Sequence, residues 1–205
     1  MKVVRWVLVS AALLVAGCDG TPPKAAPPPA TTSTPASSSA APTSTNQDPA
    51  RFAKQVVARA REAGVEAQLV MAILYNESYK PHDPDLERAW QKMKPDAAFG
   101  IANMHKAAYD ETKKGRPFAN REWQELPDDP DLAIQAAAWY LHDLAAQLPS
   151  AHQGQSTTDL LAVGYNAGPG TMKTIARGTK PGPQVQTYLD TLHGNWAKAG
   201  QAVAP

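Results

Sequence analysis

One apolar run that ends on a single carboxylate constrains this chain more than any other stretch. The run Ala67–Ser78 repeats apolar residues at three- and four-residue spacing, which predicts a helix buried on most of its sides. Glu77 stands at its end. A buried carboxyl group costs free energy unless it is hydrogen-bonded, paired or protonated, and a glutamic acid held protonated near neutral pH can act as a general acid. The alternative is that Glu77 reaches solvent where the helix ends.

The N-terminal segment has the pattern of an export signal. Lys2 and Arg5 precede the uncharged run Trp6–Ala16, which is too short to span a bilayer as a helix. Val15–Cys18 resembles a lipobox, the lipoprotein signal whose cleavage leaves the cysteine as a lipid-bearing N-terminus. Cys18 is the only cysteine in the sequence, so no intrachain disulfide can form. We expect lipidation at Cys18 and a protein anchored to the outside of the bacterial membrane; an uncleaved anchor with an idle thiol is the alternative.

Composition divides the chain into a signal peptide at residues 1–18, a spacer at 19–48 and a folded domain at 49–205. The spacer is dominated by Pro, Ala, Ser and Thr and has no Leu, Ile, Val or aromatic residue. Such a segment cannot bury enough apolar surface to offset its ordering entropy. We therefore expect a disordered, proline-stiffened tether. The remainder has about the usual size of one domain.

The charge of the chain is nearly balanced, with 20 Lys and Arg against 19 Asp and Glu and a net charge of +1. This balance argues against nucleic acid or an anionic surface as the main partner. The five histidines show no pair at a metal-ligand spacing, and the domain has no cysteine to join them. We expect a monomer that uses neither a metal nor another cofactor.

Helix start and stop signals occur along the domain, whereas convincing β alternation does not, so the predicted fold class is mainly α. Asp-Pro pairs at 48–49 and 129–130 predict helix starts, and Gly64 predicts the end of the first helix. After Ser78 the prolines predict loops, with at most one helical turn near residues 86–93 and a short irregular hairpin.

The second part of the domain follows the same pattern. Ala97–Met104 predicts a turn at Gly100 that leads into a helix running to about Thr112. A later apolar helix reaches Tyr165–Gly170, where two glycines and a proline require a sharp turn. Pro183 begins a final helix.

Four stretches, in chain order, resemble the soluble lytic transglycosylases of the lysozyme-like superfamily. The most specific ends in Tyr-Asn-Ala-Gly-Pro-Gly after an apolar helix, and the final helix is similar to the closing helix of the family, whose usual pattern includes a tyrosine like Tyr188. The resemblance covers nearly all of the domain and implies a single compact helical domain with a long active-site loop. The four stretches are Glu77-Ser78, Ala98–Asn103, Ala133–Leu144 and Ala162–Gly170.

The resemblance implies a glycan-cleaving lyase that acts on the β-1,4 bond between N-acetylmuramic acid and N-acetylglucosamine in peptidoglycan. In this family one glutamic acid protonates the glycosidic oxygen. It then takes the proton from the 6-hydroxyl of the same muramic acid, which closes a 1,6-anhydro ring. By match that residue is Glu77. The scheme suits a lone buried glutamate, because ring closure needs no activated water.

The resemblance assigns further roles one residue at a time. Ser78 matches the serine after the acid and would hold the substrate or the glutamate. Tyr165 matches the tyrosine whose hydroxyl approaches the acid, with Asn166 beside it; a purely structural role for both is the alternative. Asn103 falls where the family usually has glutamine, whose amide contacts an acetamido group of the substrate. Asparagine is one methylene shorter, which puts that contact in question.

The segment between Glu77 and Gly100 is longer than the usual connection in the family, and residues 85–92 are the expected insertion. Trp90 within it could stack on a sugar or pin the loop to the core. The carboxylates of the segment are expected to be solvated loop charges; they are Asp83, Asp85, Glu87 and Asp96.

Two alternatives to the transglycosylase reaction stay open. In a hydrolytic muramidase, a loop carboxylate or an ordered water would replace the intramolecular hydroxyl, as in glycosidases that use two carboxyl groups. In a wall-binding lipoprotein, the groove would be retained and turnover lost. The Gln-to-Asn departure at Asn103 and the lengthened loop motivate this second alternative.

Overall fold

The computed structural model describes residues 48–79, 82–152 and 154–205. The predicted signal peptide, Cys18 and the spacer up to residue 47 lie outside these ranges. Within them the chain is helical apart from one two-stranded antiparallel hairpin, which confirms the mainly α fold class. No helix in the described ranges is long and apolar enough to cross a membrane.

The helices follow one another with short connections. They are α1 (Ala53–Ala63), α2 (Ala67–Glu77), α3 (Pro84–Met93), α4 (Lys106–Thr112), α5 (Pro130–Ala146), α6 (Thr157–Ala176) and α7 (Pro183–Val203). The hairpin lies between α3 and α4, and its strands β1 (Ala98–Phe99) and β2 (Met104–His105) pair Ala98 with His105 and Phe99 with Met104. Short 3₁₀ turns occur at Pro49–Phe52 and Trp123–Glu125.

Helix α2 lies at the centre of the domain, as its apolar run predicts. Every residue from Leu69 to Glu77 is buried, because α1, α5, α6 and α7 all pack against this helix. Side-chain amides fasten it to α7: Gln68 Nε2 donates to the Trp196 carbonyl at 2.9 Å and Asn76 Nδ2 to the Tyr188 carbonyl at 3.0 Å. The end of α2 is therefore held at a fixed position along α7.

The predicted Asp-Pro start at 129–130 is confirmed as the start of α5, whereas the one at 48–49 starts the 3₁₀ turn Pro49–Phe52 that directly precedes α1. Asp48 accepts a hydrogen bond from the Ala50 amide, and Asp129 accepts one from the Leu132 amide, both at 3.0 Å. Each carboxylate satisfies an amide that has no partner inside its helix. The predicted stop at Gly64 is also confirmed, since this residue ends α1 with φ 70°.

The prediction for the segment after Ser78 is wrong in one respect. Where loops with at most one helical turn were expected, the chain forms the ten-residue helix α3. Asp83 accepts the Leu86 amide at 3.0 Å, and Pro84 occupies the first turn, where its missing amide hydrogen costs nothing. The expected insertion at residues 85–92 is thus a capped helix.

Two other local predictions have different outcomes. The turn at Gly100 does not lead directly into a helix, because the hairpin comes first and α4 begins only at Lys106, although it ends at Thr112 as predicted. The sharp turn before Gly170 is confirmed: α6 is interrupted at Gly168, whose φ of 82° and ψ of 164° are not helical.

Candidate active site

Glu77 is the last residue of α2, and only 6% of it is exposed. Its two carboxyl oxygens accept hydrogen bonds from different elements: Asn103 Nδ2 donates to Oε2 at 2.9 Å, and Tyr188 Oη donates to Oε1 at 3.0 Å. Buried polar groups are stable when they are paired in this way. The carboxyl group is therefore held in one orientation between the hairpin and α7, and it does not simply reach solvent at the helix end.

Asn103 is carried by the turn between β1 and β2, residues 100–103. The Asn103 amide donates to the Gly100 carbonyl at 2.8 Å, and both residues have positive φ, 50° for Asn103 and 71° for Gly100. Asparagine tolerates this left-handed region better than most residues. That tolerance gives a physical reason for an asparagine at this position.

Three side chains from other elements hold the hairpin in place. Tyr165 Oη on α6 donates to the Ala102 carbonyl at 2.6 Å, and Glu87 Oε2 on α3 accepts the Gly100 amide at 2.8 Å. Trp123 Nε1 donates to the Met104 carbonyl at 2.9 Å. The position of the Asn103 amide beside the acid is thus fixed from two sides of the turn.

The sequence-predicted site residues make different contacts in the structure. Asn103 meets Glu77, whereas the hydroxyl of Tyr165 donates to the turn and so positions Asn103. Ser78 Oγ donates to the Tyr75 carbonyl at 2.8 Å, and Asn166 is exposed. The roles of Ser78 and Asn166 toward substrate stay predictions.

Tyr188 is the hydroxyl donor to Glu77, a role that the resemblance assigned to Tyr165. The signal for Tyr188 in the sequence was its match to the tyrosine in the closing helix of the family. Burial first, and the nearby Glu77 carboxylate second, raise the pKa of Tyr188 well above its usual value. The same two causes raise the pKa of Tyr165. Both phenols therefore keep their protons, and Tyr188 stays a neutral donor to Glu77.

Two cavities lie beside Glu77, since one is lined by its donor Tyr188 and the other by its donor Asn103, and we describe them as the two halves of one groove. The cavity on the Tyr188 side encloses about 640 Å³ and the one on the Asn103 side about 580 Å³, and Tyr79 lines both. We call the first the polar half; its residues include Asn76, Asn166, Gln184, Thr187, Tyr188 and Thr191. We call the second the apolar half; its residues include Leu86, Trp90, Ala97, Ala98, Phe99 and Asn103.

Two residues of α3 bear on the expectations for this segment: Glu87 departs from them, and the position of Trp90 removes one of its two alternatives. Trp90 is 50% exposed and lines the apolar half, so it does not pin the segment to the core. Glu87 is 7% exposed, so it is not a solvated loop charge. Its Oε1 pairs with His82 Nδ1 at 2.9 Å, while Oε2 binds the Gly100 amide. The three other carboxylates of the segment are exposed, as predicted; they are Asp83, Asp85 and Asp96.

A mainly α domain with a buried, hydrogen-bonded glutamate beside two cavities has the arrangement of a lysozyme-like, glycan-cleaving enzyme. The model of the transglycosylase SLT domain family matches residues 55–184, more than half of the chain, and the chain belongs to that family. Its substrate is accordingly peptidoglycan and its activity that of a lytic transglycosylase. No curated protein matches the chain significantly. Tyr188 lies just beyond the matched residues.

Within the described part of the chain, no group of three or more His, Cys, Asp or Glu side chains is placed to hold a metal ion. The polar groups that converge on Glu77 include an amide and a phenol. What this arrangement offers chemically is a proton donor and acceptor with a fixed orientation.

Proposed function

We propose that the chain cleaves the β-1,4 bond between N-acetylmuramic acid and N-acetylglucosamine, and that it forms 1,6-anhydro-N-acetylmuramic acid with Glu77 as the single general acid and base. One observation carries this proposal. Glu77 is buried, and the two side chains that donate to its carboxyl oxygens line the two halves of the groove, Asn103 one half and Tyr188 the other. A bond that lies across the groove would place sugars on both sides of this group.

Glu77 acts twice in the reaction: it first donates one proton and then accepts another. Glu77 donates its proton to the glycosidic oxygen while the bond from that oxygen to C1 of the muramic acid breaks, which releases the hydroxyl of the N-acetylglucosamine. The Glu77 carboxylate then accepts the proton of the 6-hydroxyl while the oxygen of that hydroxyl forms a bond to C1. Water takes no part, and Glu77 returns to its starting protonation state.

The surroundings of Glu87 support a mechanism with one carboxylate. A hydrolase with two carboxyl groups needs the second one available to a water or to the sugar. Glu87 is the buried carboxylate of the neighbouring helix, and each of its oxygens already binds a protein group, His82 on one side and the Gly100 amide on the other. Its contacts are those of a group that holds the hairpin.

The reaction is tested by mass spectrometry of the products that the full chain releases from purified peptidoglycan, beside the Glu77→Gln variant. Glutamine keeps the size of the side chain and an acceptor for Tyr188 but cannot donate the proton. We expect anhydro ends from the native chain and their loss from the variant. Reducing ends would instead indicate a hydrolase, and absence of product from both proteins on several wall types would favour a binding role.

We further propose that the domain works outside the cytoplasmic membrane, tethered through a lipid on Cys18. The charged start, the short apolar run and the lipobox-like Val15–Cys18 support this proposal. Labelling of cells with a fatty-acid analogue should mark the native chain and not Cys18→Ala. Equal labelling of both would exclude Cys18 as the site of attachment.

A further inference from the structure

Helix α3 buries a charged residue and exposes its apolar face, the reverse of an ordinary surface helix. Its buried residue is Glu87, whereas Leu86, Trp90 and Met93, at the spacing of one helical face, are 66%, 50% and 73% exposed. A surface helix normally turns its apolar face to the core. The apolar face of α3 therefore contributes little to folding and is available to a ligand.

Polar contacts fix α3 to the domain in this orientation. Glu87 binds the Gly100 amide at 2.8 Å, and Arg88 pairs with Asp128 near the start of α5. Lys94 Nζ lies 5.5 Å from the centroid of the Trp90 ring, in a cation–π arrangement that holds the indole in the cleft. Leu86 and Trp90 thus line the apolar half together with Phe99 and Asn103.

We propose that the apolar half is a saccharide subsite in which one pyranose ring of the glycan strand stacks on Trp90. The inference rests on the proposed function, because an acid that protonates a bridging oxygen must have sugars on both of its sides. Asn103 lines the apolar half and hydrogen-bonds to Glu77, and Trp90 lines the same cavity, so a strand that leaves Glu77 on this side can reach Trp90.

The chemistry of the cavity fits a sugar better than a purely apolar ligand. A pyranose ring has a face of C–H groups, which packs on an indole, and an edge of hydroxyl and acetamido groups, which needs donors and acceptors. The apolar half supplies both kinds of contact. Its apolar walls are Trp90, Leu86 and Phe99, and its polar groups include the Asn103 amide and the His105 imidazole.

The subsite is tested by calorimetric titration of the full chain with the β-1,4-linked hexamer of N-acetylglucosamine. Trp90→Leu keeps an apolar side chain but removes the flat ring, and it should weaken binding about tenfold. Trp90→Tyr keeps a ring and should bind within about twofold of the native chain. Met93→Ala removes an exposed apolar group that does not line the cavity, so it should leave binding unchanged.

Three outcomes would overturn the proposal. Native affinity in Trp90→Leu would show that no ring stacks there. An equal loss in Met93→Ala would show unspecific apolar adhesion. A native dimer that Trp90→Leu converts to a monomer in sedimentation, with sugar binding unchanged, would assign the face to a second copy of the chain. Titration measures binding alone, so its result is independent of the product analysis. If the native chain forms anhydro ends but Trp90→Leu binds the sugar normally, only the subsite proposal is excluded.

Discussion

The two halves of the groove each supply a donor to one carboxyl group but are built differently. The polar half is lined by neutral amides and hydroxyls on α2, α6 and α7, which are also the helices that pack around the core. The apolar half depends on α3 and the hairpin, and these are joined to the rest through a few side chains such as Glu87 and Tyr165. The polar half is thus built from helices of the core, whereas the apolar half is connected to the core through a few side chains. Substitutions in the two halves should therefore affect activity and stability differently.

The largest effects are expected where each half touches the acid. Tyr188→Phe removes the donor on the polar side, and Asn103→Gly removes the donor on the apolar side while it tolerates the φ of 50°. Loss of one such donor should lower kcat/KM on the order of a hundredfold. The measurement is the initial rate of muropeptide release. Native rates in either variant would show that Glu77 depends on one half alone.

Gly100→Ala should come next, through the free energy of unfolding. The residue has φ 71°, and an added Cβ would lie 2.8 Å from the Leu126 carbonyl oxygen. We expect a loss of about 1 to 3 kcal/mol in urea unfolding. Gly64→Ala is the matched control, because Gly64 has φ 70° with nothing within 4 Å of the added Cβ. If both variants lose the same free energy, the close approach to Leu126 contributes nothing.

Removal of the Glu87 carboxylate should loosen the apolar half with a smaller cost in stability. Glu87→Ala leaves the buried Gly100 amide without its acceptor, which costs about 1 to 2 kcal/mol. Glu87→Gln keeps an oxygen for that amide and should recover most of the stability and activity. If both variants are equally impaired, the charge of Glu87, and not its hydrogen bond to Gly100, is what matters.

The smallest effect is expected from pH. The pKa of Tyr188 is raised above its unfolded value of about 10, so the unfolded chain ionises first as the pH rises through about 10. Stability is then complete below that pH and falls above it, by about 1.4 kcal/mol per pH unit for each such tyrosine. In thermal unfolding measured from pH 9 to 11, Tyr188→Phe should reduce the slope of stability against pH by the contribution of one tyrosine. An unchanged slope would mean that Tyr188 ionises in the folded state.

The sequence predicts the polar half and the acid better than the apolar half. Helix α2 has a long apolar run, and the Asp-Pro starts and the turn at Gly168 are local signals whose physics acts within a few residues. Helix α3 carries the same Asp-Pro signal, but the neighbouring prolines favour a loop. The hydrogen bond from the Leu86 amide to Asp83 in the structure shows that Pro84 starts a helix.

The contacts that complete the site could not be predicted from local patterns. Tyr188 meets Glu77 across 111 positions of sequence, which depends on how α7 packs along α2. The burial of Glu87 depends on the amide of Gly100, 13 positions away; the pattern predicts the turn at Gly100 but not its contact with α3. Neither side chain has a local signal that separates it from an ordinary inner tyrosine or surface glutamate.

The reversed faces of α3 also have a consequence for hydrogen exchange. Amides of α2 are buried on all sides, so they can exchange only when the whole domain unfolds. Helix α3 is held to the domain by polar contacts, and its buried residue is Glu87. A local opening can therefore expose the amides of α3 while the core remains intact. Helix α3 is therefore expected to exchange as its own cooperative unit, and the wall beside Trp90 can open without moving the acid.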